Sequence, residues 1–476
     1  MNAGPSIITI VPAPAADEDV SLLEIRKKIY IRAVHGVFAR WRWGLVFATQ
    51  LVYYGLPWLS WNGRQAILFQ ITERKFYLFG LVLWPQDVIY LAALLIISAF
   101  ALFLFTAIAG RLWCGYACPQ TVYTEIFMWV ERKIEGERVA RMKLDGSALT
   151  LGKFVVKAEK HVAWFTIALW TGYTFVGYFS PIRDLGIRAI TWQLGPWEAF
   201  WILFYGIATY GNAGFMREQV CKYMCPYARF QSAMFDRDTL IIAYDRERGE
   251  PRGARSRKVD PKAAGLGHCV ACNICVQVCP TGIDIRKGLQ YECIGCAACI
   301  DGCDQVMDRM GYARGLIRYA SENALERHYD REGMHRRMLR PRTVVYTGLL
   351  AGIVAAVGVS LTLRNPLKVD VIRDRGALAR EAAPGVIENV YRIQIMNTDE
   401  AARTFTIVAA GLPDVKVAGV EQPVAVGAAG TRLVPVRLQV PADVGSPGSH
   451  PIEFVVQSTD EPKLVRREKS TFMLPR

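Results

Sequence analysis

Eight of the twelve cysteines lie between residues 269 and 303, in two runs with the same spacing. Each run has the pattern C-x-x-C-x-x-C-x-x-x-C, in which three closely spaced thiolates bind one [4Fe–4S] cluster and the fourth binds the other. The pattern predicts an electron-transfer protein with two [4Fe–4S] clusters. The predicted ligands of the first cluster are Cys269, Cys272, Cys275 and Cys303. The predicted ligands of the second cluster are Cys279, Cys293, Cys296 and Cys299.

The residues after the fourth cysteines differ between the runs. Pro280 follows the first run and turns the chain away, as this pattern expects. The second run has Asp304 there, which slightly weakens the predicted geometry around Cys303. A pair of zinc sites or a disulfide scaffold is the alternative, since each also gathers cysteines. Two consecutive runs with triple spacing favour iron–sulfur clusters over both.

The other four cysteines form two pairs in a repeated motif, C-x-Y-x-C-P. They are Cys114, Cys118, Cys221 and Cys225. Each motif predicts a turn, because proline disfavours helical geometry in the residue before it and suits the first turn of a new helix. Since the motifs hold equivalent positions in an internal repeat, we expect the pairs to converge into a copper or redox site. Thiolates suit Cu(I), zinc or an iron–sulfur centre, with Met216 and Met224 as additional candidate ligands.

Two other interpretations of these four cysteines remain open. The first is a redox-active dithiol, because positive charge from Arg111, Arg217 and Lys222 would favour the thiolate form. The second is a purely structural role for four small buried side chains, which does not explain why the motif is repeated.

Long uncharged segments predict an integral membrane protein to position these cysteines. Of the 476 residues, 52% are hydrophobic. Five apolar segments approach or exceed the ~20 residues that cross the hydrocarbon core as a helix. We predict about five transmembrane helices, at residues 44–61, 88–110, 162–180, 197–215 and 343–363. After the second of these, residues 121–134 predict an amphipathic helix along the membrane surface.

Basic residues predict the orientation, because Lys and Arg are retained on the cytoplasmic side. Six lie before the first segment, and the successive loops hold three, nine, two and twenty-two. The N-terminus and the cysteine-rich segment are therefore predicted to be cytoplasmic. Residues after the fifth helix are predicted to be periplasmic, and they contain no cysteine. The same topology explains the net charge of +14 without nucleic acid as a partner, and membrane lipid is the expected partner.

The exported part has a different pattern. From about Pro384, short segments alternate apolar and polar residues between turn-rich stretches, which predicts a β-sandwich of immunoglobulin type. The predicted fold is therefore an α-helical membrane protein with an inserted α+β ferredoxin-like domain and a C-terminal immunoglobulin-like domain. The predicted parts are a tail (1–43), a four-helix membrane region (44–230), the two-cluster domain (231–342), a fifth helix (343–363) and the sandwich (364–476).

The two C-x-x-x-C-P pairs, the two-cluster segment between membrane spans and the exported β-rich end together resemble the CcoG family, also called FixG or RdxA. The resemblance covers essentially the whole chain beyond the tail. It implies an inner-membrane protein that reduces Cu(II) to Cu(I) in the assembly of cbb3-type cytochrome oxidase. By the same resemblance, the four paired cysteines named above match the membrane cysteines proposed for copper.

The resemblance also implies partners, namely oxidase assembly factors or a copper transporter or chaperone. The electron donor stays unidentified, and a homodimer is left open. The membrane part is also similar to the NapH and NosR electron-transfer proteins. Two alternative functions therefore remain. One is a quinol-linked electron carrier to a periplasmic reductase, and the other is a non-enzymatic scaffold for oxidase assembly.

Overall fold

The computed structural model describes residues 28–475 except 262, 330–331, 334–336, 338 and 375–378. The predicted N-terminal tail therefore lies outside the described residues up to residue 27. Among the described residues, the chain forms two compact units. The first unit contains the residues up to Leu59 and those from Leu91 to Val354, and the second contains Ser60–Tyr90 and the residues from Ala355.

Helices dominate the first unit. The α-helices are α1 Val37–Gly55, α2 Val88–Ala109, α3 Leu112–Tyr116, α4 Pro119–Glu135, α5 Arg138–Gly146, α6 Leu151–Val176, α7 Ile182–Ile190, α8 Pro196–Thr209, α9 Pro226–Met234, α10 Arg246–Gly249, α11 Ile274–Gln277, α12 Ala298–Met310, α13 Glu322–Glu326 and α14 Pro341–Thr362. Two π-helical segments, Tyr210–Met216 and Val220–Met224, lie between α8 and α9.

Strands dominate the second unit. The strands are β1 Ser60–Trp61, β2 Arg64–Gln65, β3 Ile67–Gln70, β4 Lys75–Leu78, β5 Leu81–Leu83, β6 Ile241–Tyr244, β7 Ile317–Ala320, β8 Leu367–Arg373, β9 Arg380–Ala383, β10 Val386–Asn397, β11 Arg403–Ala410, β12 Lys416–Ala418, β13 Val424–Val426, β14 Thr431–Pro441, β15 Gly448–Ser458 and β16 Val465–Leu474. Only β6 and β7 belong to the first unit, where they pair antiparallel.

Helices occupy all five positions predicted for membrane spans, but the count of five stays a prediction. In the described part of the chain, two helical segments are long and apolar enough to cross a membrane, Pro85–Ala109 and Pro341–Thr362. The others differ from the expected spans. Helix α1 begins at Val37 and ends at Gly55, short of the predicted end, and α6 begins at Leu151, so that it includes charged turns. Helix α8 is regular only to Thr209.

The immunoglobulin-like part of the second unit is a sandwich of two antiparallel sheets. One has the strand order β12-β14-β10-β8 with β9 also on β10, and the other has the order β13-β11-β15-β16. Alternate residues of the long strands form a buried core that includes Tyr391, Phe405 and Phe454, all fully buried. The Tyr391 hydroxyl donates to the Thr471 carbonyl at 2.8 Å, so its polar end is satisfied.

The second unit also contains a small sheet in a segment that was predicted to be a loop. Strands β3, β4 and β5 form a three-stranded sheet. Its buried Leu68, Tyr77 and Val82 share a cluster with Met396 of β10. The buried Asp87 carboxylate accepts from Arg364 at 2.7 Å and also pairs with Lys368, so the segment before α2 belongs with the sandwich.

Candidate iron–sulfur and cysteine centres

The structure gathers the eight cysteines of the two runs around two neighbouring cavities. The first cavity contains all four cysteines predicted for the first cluster. They are Cys269, Cys272, Cys275 and Cys303. The second contains all four predicted for the second cluster. They are Cys279, Cys293, Cys296 and Cys299. Cys275 lines both cavities, so the two sites adjoin.

The fourth cysteine of each run lies at the other cavity. A helix that begins after the run's second cysteine leads the chain there. Helix α11 follows Cys272 and leads the chain to Cys279 in the second cavity. Helix α12 carries Cys303 one turn beyond Cys299, so Cys303 reaches the first cavity while Cys299 stays at the second. Strands β6 and β7 flank the pair of loops, and Ile242 and Ile317 belong to the same buried cluster as the cysteines.

Both loops place left-handed residues on either side of their second cysteine. Ala271 and Asn273 have φ of 52° and 56° around Cys272. Gly295 and Ala297 have φ of 70° and 57° around Cys296. A left-handed non-glycine residue costs roughly 1–2 kcal/mol, so the same conformation at equivalent positions, three of them non-glycine, marks a turn built for the cysteines.

The chemistry of the donors fits [4Fe–4S] clusters at both cavities. Burial raises the pKa of Cys275 to about 11 and the pKa of Cys293 and of Cys303 to about 12, so the free thiols would be neutral and metal binding would displace their protons. Among the described residues, no three His, Cys, Asp or Glu side chains lie close enough to hold a single metal ion. Four thiolates around one zinc ion would be only about 3.8 Å apart, whereas the corners of a cube hold them further apart.

Three arginines, Arg42, Arg111 and Arg286, supply positive charge beside these cysteines. Of the three, the sequence had indicated only Arg111, and there it was placed beside the four paired cysteines. The Arg286 guanidinium donates to Asp284 and Asn273 at 2.7 Å and acts electrostatically on Cys275. The buried Arg42 acts in the same way on Cys296. Such charges stabilise thiolate-bound clusters, most strongly when reduced. The sequence could have indicated Arg42, because an arginine in the first turns of an apolar segment is unusual.

The four remaining cysteines converge, as the repeat predicted, close enough to interact electrostatically with one another. Cys114 lies in α3 and Cys221 in the second π-helical segment. Cys118 and Cys225 are the residues before α4 and α9, which both begin with the proline of their motif. We call Cys114, Cys118, Cys221 and Cys225 the four-cysteine group.

The expectation that nearby positive charge would favour thiolates in this group was wrong for three of its members. Burial raises the pKa of Cys114 to about 11, although Arg111 opposes the shift. Burial also raises the pKa of Cys118, and raises that of Cys221 to about 12. The Arg217 guanidinium instead donates to the Gly214 carbonyl and the Glu131 carboxylate. Desolvation therefore outweighs charge, and these free thiols would be neutral.

The two motifs of the repeat are not equivalent in structure. The first is α-helical, and its Gly115 and Tyr116 are buried. The second is π-helical, and its Tyr223 and Met224 are 69% and 55% exposed. The exposed Met224 is therefore not packed among the cysteines, and the buried first motif is the one that meets the iron–sulfur loops.

The first motif lies directly against the loop of the second cavity. A side-chain carbon added at Gly115 would be 2.7 Å from the backbone nitrogen and Cα of Cys296. One added at Gly295 would be 3.1 Å from the Arg111 carbonyl. The Tyr319 hydroxyl lies 3.3 Å from that of Tyr116 and donates to the Gly295 carbonyl at 2.6 Å. The four-cysteine group and the second cavity therefore share a backbone contact.

Family profiles match most of these parts. A profile described as a 4Fe-4S dicluster domain matches residues 216–322, and one described as a 4Fe-4S binding domain matches residues 91–136. A profile described as an IG-like fold at the C-terminal of FixG matches residues 357–475. Together with the cavities, these matches define a class: an iron–sulfur electron-transfer protein that carries two [4Fe–4S] clusters and an immunoglobulin-like domain. The apolar helices are consistent with a membrane protein of this class.

Full-length relatives make the assignment narrower. The chain is 40% identical to protein RdxA of Cereibacter sphaeroides, over 88% of this chain and 90% of the relative. It is 38% identical to nitrogen fixation protein FixG of Rhizobium meliloti, over 84% and 82% respectively. The chain belongs to the FixG/RdxA family.

More distant likenesses cover smaller parts. Ferredoxin-type protein NapH of Haemophilus influenzae is 25% identical, over 44% of this chain and 66% of the relative. The crystal structure of a FixG-related protein from Vibrio parahaemolyticus covers 23% of this chain and 97% of its own, with 24% identity and a TM-score of 0.21.

Proposed function

We propose that this protein is a membrane-bound oxidoreductase that passes single electrons from its two clusters to the four-cysteine group, where Cu(II) is reduced to Cu(I). The contact between Gly115 and the backbone of Cys296 carries the proposal, because it brings that group against the second cluster site. It also gives the sites an order, with the first cavity farther from Cys114 along the path of contacts.

The cavity linings support the proposed cluster ligands. Each cavity brings together four thiols that fit one cluster. The proposed ligands of the first cluster are Cys269, Cys272, Cys275 and Cys303. The proposed ligands of the second are Cys279, Cys293, Cys296 and Cys299. When bound, such clusters accept and release one electron at a time. The polypeptide holds the second-site loop, since Tyr319 fixes Gly295 and Arg42 supplies positive charge near Cys296.

Copper is the proposed substrate because thiolate is a soft ligand that favours Cu(I). One electron converts one Cu(II) to Cu(I), and a pair of these cysteines would lose protons on binding it. We further propose that the clusters face the cytoplasm and the immunoglobulin-like domain the periplasm of the inner membrane. The product would pass to a copper chaperone, a copper transporter or assembly factors of a cbb3-type oxidase.

The test is anaerobic copper reduction by purified full-length protein with filled clusters. Cys114→Ala and Cys225→Ala should each reduce Cu(II) at least tenfold more slowly, with the iron content unchanged. Formation of Cu(I) is followed with a Cu(I)-specific chelating dye. Tyr223→Phe is the matched control, since this exposed side chain lies between Cys221 and Cys225, and it should behave as wild type. Unchanged reduction in both cysteine variants would remove the group from the reaction.

A further inference from the structure

The first unit contains a large cavity that the proposed copper chemistry does not use. It has a volume of about 1760 Å³ and lies between α1, α4, α6 and the loops that carry the clusters. We propose that it binds a lipid-soluble hydroquinone, which is the electron donor of the two clusters. The proposal of a hydroquinone site depends on the two clusters and not on copper. It can therefore fail independently of the copper proposal.

The cavity adjoins both cluster sites. Val278 and Pro280, the neighbours of Cys279, line it on one side. Asp304, the neighbour of Cys303, lines it as well. A molecule bound here would therefore lie beside one cysteine of each cavity, which is the position that an electron donor needs.

The walls suit a flat aromatic ring with an apolar tail. Trp43, Trp129 and Trp170 line the cavity together with Tyr54 and Phe47. Phe47 is 68% exposed and Trp129 is 44% exposed, so the aromatic side of the cavity is continuous with the outer apolar surface. Aromatic rings stack on flat π-systems, and a tail can leave between such side chains toward lipid.

Two buried polar atoms in the cavity make no hydrogen bond among the described residues. Arg42 is 92% buried, as its exposure is 8%, and its Nε makes no hydrogen bond. The buried Oε1 of Gln50, about two turns further along α1, makes none either. An unsatisfied buried donor and an unsatisfied buried acceptor are both unfavourable, and a ligand with both kinds of oxygen would satisfy them. A quinone oxygen accepts from Arg42, and a hydroquinone hydroxyl donates to Gln50.

The reaction balances with the groups present. Oxidation of the hydroquinone to the quinone breaks two O–H bonds and releases two electrons and two protons. One electron reduces each oxidised cluster, so two clusters match one hydroquinone. The carboxylate of Glu125, which lines the cavity and lies 4.0 Å from Arg42, accepts the first proton, and water at the charged rim accepts the second. Positive charge from Arg42, Arg111 and Arg286 raises the cluster potentials toward those that a hydroquinone can reach.

The experiment uses the full-length protein with filled clusters in lipid nanodiscs under anaerobic conditions. Binding of decylubiquinone is measured by quenching of tryptophan fluorescence, and reduction by decylubiquinol is measured from the EPR signal of the reduced clusters. Wild type should bind saturably and show reduced clusters. Gln50→Leu should weaken binding and slow reduction by about tenfold, while dithionite still reduces its clusters fully. Trp129→Ala should also weaken binding, whereas Trp201→Ala, a similarly exposed tryptophan outside the cavity, should not.

Several outcomes would overturn the inference. The inference is overturned if the clusters stay oxidised with decylubiquinol but are reduced by dithionite, even if the quinone binds. A Gln50→Leu protein that equals wild type in both assays would also overturn it. Finding only phospholipid in the cavity, with no competition from decylubiquinone, would identify it as a lipid site. Crosslinks from the cavity to residues 1–27 would instead show that the chain's own N-terminal segment fills it.

Discussion

Gly115 is the residue through which the four-cysteine group meets the second cluster site. Any side chain there would collide with backbone atoms of Cys296, and backbone cannot move aside as a flexible side chain can. The Cys114 and Cys118 thiols flank this contact in sequence. Because glycine has no side chain, Gly115 allows the four-cysteine group and the second cluster site to approach this closely.

Gly115→Ala should separate the two sites while leaving all twelve cysteines in place. The added methyl group would be 2.7 Å from Cys296 and should destabilise the protein by roughly 1–3 kcal/mol. We expect copper reduction to fall at least tenfold, with iron content retained and the EPR spectrum of one cluster altered. Gly152→Ala is the control, because nothing lies within 4 Å of the added carbon. Normal copper reduction by Gly115→Ala would argue against a path through this contact.

The ionisation of Glu388 makes the stability of the second unit depend on pH. Burial raises its pKa, but hydrogen bonds from Gln439 and Arg380 outweigh burial and hold the pKa below its usual range. Because the folded value lies below the unfolded one, the stabilisation is fully present above pH ~4.3 and is lost as pH falls through the folded pKa.

Glu388→Gln should therefore destabilise the sandwich by about 1–2 kcal/mol at pH 7, where the carboxylate pairs with a half-exposed arginine. The difference from wild type should shrink as the pH is lowered below 4. Urea unfolding monitored by hydrogen exchange of β10 and β14 at several pH values measures this. A difference that stays constant down to pH 3 would show that the ionised carboxylate is not the cause.

At the scale of elements, the sequence predicted which cysteines meet but not how the chain is bent to bring them together. The two-cluster pattern grouped Cys303 with Cys269 and Cys279 with Cys293, because the last cysteine of each run binds the other cluster in that pattern. The left-handed residues at Ala271 and Ala297 could not be predicted, since alanine carries no preference for that conformation. The raised pKa values of Cys114, Cys118 and Cys221 were also missed, because burial is a property of the fold and not of the neighbouring residues.

The backbone at Ala297 gives a test of these turns. Ala297 is fully buried and has φ of 57°, so Ala297→Gly should be tolerated with full iron content. Ala297→Val should destabilise the second loop by roughly 1–3 kcal/mol and lose up to half of the iron, because a β-branched residue is strained in this conformation. Ala298→Val, at the buried first position of α12, adds the same volume without that strain and should keep more iron. Equal iron loss in the two valine variants would indicate crowding rather than backbone strain.

At the scale of the whole molecule, each unit has its own means of stability. All twelve cysteines lie in the first unit, and eight of them line the two cavities. The second unit contains no cysteine and holds a separate core that includes Tyr391, Phe405 and Phe454. The sequence anticipated this division through its composition, because cysteine-rich loops and alternating strands need different sources of stability. It did not anticipate that residues 60–90 belong to the second unit, since their short strands resemble a loop in pattern.

Removal of iron should therefore unfold one unit and spare the other. Cluster binding stabilises only the state in which the ligands are assembled, so its loss should remove most of the stability of the loops around α12. We expect hydrogen exchange of Ala298–Met310 to become at least a hundredfold faster in iron-free full-length protein, while Val386–Asn397 keeps its protection. Protein treated with the iron-saturated chelator is the control. If β10 also loses protection when the iron is removed, the sandwich depends on the clusters and the two units do not fold independently.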